Sequence, residues 1–169
     1  MSALIIVSSI TGNTWKVGQA LTEAYPQCSL KRTTDVLKCT ELLDKYNRII
    51  VGFWCDKGGL PPDLAQLVPY IRGKSLAIYA TMGGNPQSER AKDWFSRQCK
   101  TIVGEDRDNR LEVTFLCQGK INPVLIEQMQ KMPGYKETPE SVARREEAAK
   151  HPNEEDYRAA AETFREFLA

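Results

Sequence analysis

"SSITGNT", Ser8 to Thr14, follows the apolar run "LIIV" (Leu4–Val7) and precedes "WKVGQALTEA" (Trp15–Ala24). A strand that ends in hydroxyls, a glycine and an asparagine, just where a helix starts, admits two readings. One is a βα turn with a threonine cap. The other is a cradle for an anion, because free N–H groups and the helix dipole both favour negative charge there. Ser9, Thr11 and Thr14 add hydroxyl donors. Gly12 permits close approach or an unusual backbone angle, and Asn13 tolerates left-handed geometry. Neither G-x-x-x-x-G-K-[ST] nor G-x-G-x-x-G occurs. The strand ends in neither the acidic residues of a phosphoacceptor nor a cysteine nucleophile. The loop therefore suits holding a phosphate rather than transferring one.

Outward from this loop, short apolar runs alternate with amphipathic stretches. Ala3–Ser8 reads as a buried strand, and Thr14–Ala24 as a helix with Val17, Ala20, Leu21 and Ala24 on one face. "CSLKRT" (Cys28–Thr33) is a polar strand suited to an edge, and "RIIVGFW" (Arg48–Trp54) a buried one. "PPDLAQLVPYI" (Pro61–Ile71) begins a helix that Pro69 should kink or end. "SLAIYAT" (Ser75–Thr81) is the fourth strand. "QSERAKDWFSRQC" (Gln87–Cys99) is a helix with Ala91, Trp94, Phe95 and Gln98 inward. "RLEVTFLC" (Arg110–Cys117) is the fifth strand, followed by the turn "QGK" and the helix "NPVLIEQMQKM" (Asn122–Met132). A polar hinge leads to Ser141–Lys150 and Asn153–Leu168, with Asn153 as a cap.

Strands alternating with helices predict an α/β fold whose parallel sheet is covered on both faces. Right-handed crossovers leave few arrangements, and the order 2-1-3-4-5 is the natural one for five strands. The expected architecture is a three-layer α/β/α sandwich. One domain is expected over residues 1–169, with a C-terminal helical extension from about residue 139.

Composition narrows the function. With 41% hydrophobic and 27% charged residues the chain reads as an ordinary globular protein. A net charge of +1 gives no basic footprint for nucleic acid. No apolar stretch approaches membrane-spanning length, and no secretory signal opens the chain. The five cysteines are odd in number and form no C-x-x-C, which reads as reduced thiols in the cytoplasm rather than disulfides or a zinc site.

In a parallel sheet all strands end on one edge, and ligands bind in the crevice there. The loops after strands one, three and four therefore meet: Ser8–Thr14, "WCDKGGLPP" from Trp54, and "TMGGNP" from Thr81. Each is rich in glycine, small polar residues or both, more than short turns alone require.

S-x-T-G-N-T between a first strand and a first helix resembles the phosphate-binding loop of flavodoxins, whose cofactor is FMN, and the element order resembles that family along the whole chain. The resemblance implies a flavodoxin-like sandwich in which Ser9, Ile10, Thr11, Gly12, Asn13 and Thr14 hold the FMN phosphate. It further implies that Trp54, Cys55, Asp56, Lys57, Gly58 and Gly59, with Thr81, Met82, Gly83 and Gly84, enclose the isoalloxazine ring. "CQGK" (Cys117–Lys120) and "HPNEED" (His151–Asp156) are similar, more specifically, to short flavodoxin-family proteins of anaerobic bacteria. One of those accompanies a bilirubin reductase.

The implied function is electron transfer by bound FMN between redox partner proteins, a reductase donor and an acceptor enzyme, by a monomer that touches neither nucleic acid nor membrane. The alternatives are an FMN-dependent reductase or reductase accessory acting on a small substrate, and a flavodoxin-fold binding protein without FMN. A carrier is favoured over an enzyme with its own substrate, and no side chain is assigned as acid, base or nucleophile. The chain departs from the family habit in being nearly neutral and in offering Met82 where many members stack a tyrosine. Lys57 stands where acidic residues are usual, and a cation at the ring edge would make full reduction easier. Trp54 could stack on the ring or simply pack. Gly58 and Gly59 could permit a backbone flip beside reduced flavin, or form a tight turn. Cys55 has no visible base or resolving partner, and His151 suits a cap or surface role better than catalysis.

Overall fold

β1 (Leu4–Val7), β2 (Ser29–Arg32), β3 (Arg48–Trp54), β4 (Ser75–Met82) and β5 (Arg110–Gln118) form one sheet in the order β2-β1-β3-β4-β5. Every neighbouring pair is parallel. The structure is a computed structural model describing residues 2–169. The polar β2 lies at one edge, as its composition predicts. At the other edge, Leu76 and Ala77 face Leu111 and Val113, so Glu112 is an extra residue that bulges β5.

Helices cover both faces. Leu4, Ile6, Val51, Phe53, Leu76 and Ile78 pack against α2 (Thr33–Leu37), α3 (Pro62–Leu67) and α4 (Glu89–Val103). Ile5, Val7, Ile50, Ala77 and Tyr79 pack against α1 (Asn13–Ala24), α7 (Glu154–Thr163) and α8 (Arg165–Leu168). This alternation is the period of a strand buried on both sides. Each fully buried aliphatic or aromatic side chain contributes about 1.5–3 kcal/mol by leaving water. No helix among the described residues is long and apolar enough to cross a membrane.

The helix ends follow local chemistry. α3 stops at Leu67 and continues as one 3₁₀ turn through Pro69. α4 starts after Ser88, whose hydroxyl accepts from the Ala91 amide, and runs on to Val103, so Cys99 and Ile102 join its buried face while Gln98 is only half-buried. Thr33, read as the end of the second strand, instead starts α2, and a 3₁₀ turn follows over Thr40–Lys45.

The segment after β5 corrects the sequence reading. α5 (Pro123–Gln130) buries no residue and does not cover the sheet. That place belongs to α7, which lies along α1 and β5 and buries Ala160, with Phe164, Phe167 and Leu168 following into the core. Residues 119–153, with α5 and α6 (Pro139–Ala148), thus form an excursion between β5 and the helix that covers it. Its two ends meet, since the Lys120 amide donates to the His151 carbonyl at 2.9 Å.

The closing point is fixed by side chains. Asn153 accepts from the Glu155 and Asp156 amides, while Asp156 accepts from the Asn153 amide at 2.8 Å, a reciprocal cap on α7. His151 Nδ1 lies 2.7 Å from the same Asp156 carboxylate and Nε2 lies 3.4 Å from Glu147. The bond to Asp156 raises the His151 pKa above the ordinary 6.5. Protonated His151 binds these carboxylates better folded than unfolded. Its stabilisation is therefore complete below about 6.5 and is lost as pH rises through the raised folded value. The expected result is a melting temperature that falls over that window in the wild type and falls less in His151→Gln. Equal slopes in both proteins would mean that His151 is not the group titrating.

Candidate functional site

The carboxyl edge of the sheet gathers the loops after β1, β3 and β4, as a parallel sheet must. The first loop is held from below. The Ser8 amide extends the ladder by donating to the Gly52 carbonyl at 2.9 Å, and its hydroxyl donates to Asp63 at 2.7 Å. Tyr79, fully buried and kept neutral by that burial, donates its hydroxyl to the Thr14 carbonyl at 2.9 Å. The ring can cross β3 to reach α1 only because residue 52 is glycine, where any Cβ would strike the Tyr79 ring.

Gly12 is the N-cap of α1 with φ 97°, and no side chain caps the helix. The threonine-capped turn is therefore not what forms. The first helical bond runs from Lys16 to the Gly12 carbonyl, and no group among the described residues accepts from the Asn13, Thr14 and Trp15 amides. Ser9 Oγ accepts from the Gly12 amide at 3.2 Å. Thr14 Oγ1 and Thr81 Oγ1 lie 2.8 Å apart in the interior. One of their two protons joins them, and the other remains free to donate. Asn13 has a different role, donating from Nδ2 to the Lys120 carbonyl at 2.8 Å and so fixing the start of the excursion.

Trp54 and Cys55 leave β3 side by side on the wall of a cavity of about 350 Å³. The Trp54 indole N–H is shut from solvent with no acceptor among the described residues. Burial pushes the Cys55 thiol up, which keeps it protonated and poorly nucleophilic. Residues 56–59 form a tight turn, the Gly59 amide donating to Asp56 at 2.8 Å. Lys57 and Gly58 both have positive φ, 48° and 82°, as a type I′ turn requires. The Gly58 carbonyl accepts from the Trp94 indole at 3.1 Å.

The structure thus brings Ser9, Ile10, Thr11, Asn13, Thr14, Trp54, Cys55, Thr81, Met82, Gly83 and Gly84 together around the cavity. Gly12 is not part of that lining and serves as the N-cap of α1. Asp56, Lys57, Gly58 and Gly59 stand outside the cavity wall, with Lys57 on the exposed tip of the turn.

A fourth wall was not foreseen. Gly119–Ile121 threads between the first and third loops. The Gly119 amide donates to the Met82 carbonyl at 2.9 Å, and a Cβ on Gly119 would crowd Asn13 and Thr81. Ile121 lies so close over Gly83 that only glycine fits there. Beyond it, Leu125, Ile126 and Met129 of α5, with Tyr135, add apolar surface, and Ser141, Arg144 and Arg145 of α6 complete the wall. Parallel topology itself could have found this wall, since β5 ends on the same edge.

Among the described residues, the lining contains three cations, Lys120, Arg144 and Arg145, and no carboxylate. Arg145 is paired with Glu137 and donates to the Tyr135 hydroxyl at 3.3 Å. Unengaged amides at a helix start, hydroxyls, cations and apolar walls suit a ligand that joins an anionic group to an apolar ring system. That is the chemistry of a flavin phosphate, so the residues fit FMN.

The family model of the flavodoxin domain matches residues 4–165. A curated relative, the flavodoxin-like domain-containing protein BilS of Clostridioides difficile, is 26% identical over 92% of this chain and 90% of its own length. Among solved structures, oxidised flavodoxin 2 of Bacillus cereus superposes with a TM-score of 0.59 at 17% identity, covering 99% of each chain. General stress protein 14 of Treponema denticola, solved in complex with FMN, gives 0.58 at 13% identity over 100% of both chains. At these identities the two structures share the fold with this chain.

Proposed function

This chain belongs to the flavodoxin domain family, and from that premise we propose that it is an FMN-binding electron carrier working between a reductase that donates and an enzyme that accepts. The observation that carries this reading is the α1 start. A Gly12 cap leaves leading amides without protein acceptors, beside a cavity whose lining holds cations and no carboxylate.

Bound there, FMN supplies the hydride and one-electron chemistry. The chain's residues do the rest. The Asn13–Trp15 amides and the Thr11 and Thr14 hydroxyls hold the phosphate. Trp54 and Met82 offer surfaces against which a ring packs. Leu125, Ile126 and Met129 exclude water from it. No side chain in the cavity is needed as acid, base or nucleophile. Five free thiols support a reducing cytoplasmic setting.

An absorption spectrum of the native protein during stepwise reduction tests this. The expected result is a yellow protein that releases one FMN per chain on denaturation and passes electrons to an added redox protein. A colourless protein that takes up no added FMN would leave only a flavodoxin-fold binding protein. One observation favours a second reading, an FMN-dependent reductase or reductase accessory with its own small substrate: α5 and α6 wall the cavity with apolar side chains. Turnover of NAD(P)H with a small acceptor, without added reductase, would establish it over the carrier.

A further inference from the structure

The cations of the cavity do not come from the first loop. They come from the excursion after β5, and they differ in what holds them. Arg145 is neutralised by Glu137. Lys120 and Arg144 have no carboxylate within ion-pair distance among the described residues, and both residues are part of the lining of the cavity that Ser9, Thr11 and Thr14 also line. Lys120 is fixed beside the first loop by two bonds. Its carbonyl accepts from Asn13 Nδ2 at 2.8 Å, and its amide donates to His151 at 2.9 Å.

Resting on the FMN reading above, we infer that Lys120 and Arg144 form a cationic jaw opposite the first loop, and that this jaw selects the phosphorylated flavin over riboflavin. The phosphate carries nearly two negative charges at neutral pH. The first loop offers it only neutral donors, which act at contact distance. Two uncompensated cations nearly match its charge and act over a Debye length. The apolar wall meets the ring of either flavin alike, so the cations add a long-range preference for the phosphate to the contact donors of the first loop. Lys120 follows the end of β5, and Arg144 is brought to the cavity by α6.

The test is an equilibrium titration of FMN and of riboflavin into the full chain freed of flavin, followed by loss of flavin fluorescence. The proteins compared are the wild type, Lys120→Gln, Arg144→Gln and the double variant. Both side chains are exposed, and unchanged melting temperatures confirm that the fold is kept. At low salt the double variant should bind FMN roughly tenfold more weakly, each single variant a few-fold, and the difference should shrink toward ~0.5 M salt. Riboflavin affinity should change by less than about twofold across the series. Wild-type FMN affinity in both single variants at low salt, or equal losses for both flavins, would overturn the jaw while leaving FMN binding intact. A wild type that binds neither flavin would overturn the FMN reading and the jaw with it.

Discussion

Replacing Thr11 and Thr14 together by alanine is expected to lower FMN affinity by a hundredfold or more while riboflavin loses far less. A hydrogen bond to a charged acceptor is worth roughly 1.5–3 kcal/mol, and the double change removes one such bond from each hydroxyl. Thr14 contributes in a second way. Its Oγ1 lies 2.8 Å from Thr81 Oγ1, so its removal also takes away the partner that orients the Thr81 hydroxyl on the cavity wall. Fluorescence titration with both flavins checks the result. Equal losses for the two ligands would show that this loop does not read the phosphate.

Gly52→Ala is expected to destabilise the fold by about 3 kcal/mol or more, toward the upper end for overpacked cores. The new methyl would overlap the Tyr79 ring, which has no room to retreat because Phe164 meets it edge-on with centroids 6.3 Å apart. Displacing the ring also breaks the bond from the Tyr79 hydroxyl to Thr14, so the α1 start loses its support from below. Urea unfolding measures the cost. Tyr79→Leu in the Gly52→Ala background should recover part of it, because a shorter side chain leaves space for the methyl. Stability equal to wild type in Gly52→Ala alone would mean that Tyr79 does not pack across β3.

The strands were legible because each is an apolar run bounded by glycine, proline or polar clusters, and a parallel sheet buries such runs on both faces. Their order followed from the alternation with helices. Pro69 and Asn153 marked helix ends by chemistry that acts within a few residues. What was not legible depends on partners far along the chain. Leu125, Ile126 and Met129 have the spacing of a buried helix face, but spacing does not say what the face meets. Here it borders the cavity rather than the sheet. In α7 the small residues around Ala160 give a weak apolar signal, yet it is α7 that closes the sandwich. The second loop shows the same limit. Its "DKGG" forms a tight turn, and the positive φ of Lys57 and the Trp94 bond to Gly58 that hold it are not written in the loop's composition. Loop composition pointed to one edge of the sheet, and eleven of the residues named there line the cavity. Lys120 follows the end of β5 on that same edge, whereas Arg144 and Arg145 stand on α6, whose position only tertiary structure reveals.

The late return of the chain to its own core has a consequence for biosynthesis. α7 and α8 are translated after the whole excursion, so a nascent chain already carries all five strands before it holds the helices that bury one face. Until they emerge, α1 alone shields the side of the sheet bearing Ile5, Val7, Ile50, Ala77 and Tyr79. During that interval the unfinished sheet offers holdase chaperones an apolar surface, and a ribosome stalled within the excursion would leave behind an aggregation-prone half-sandwich.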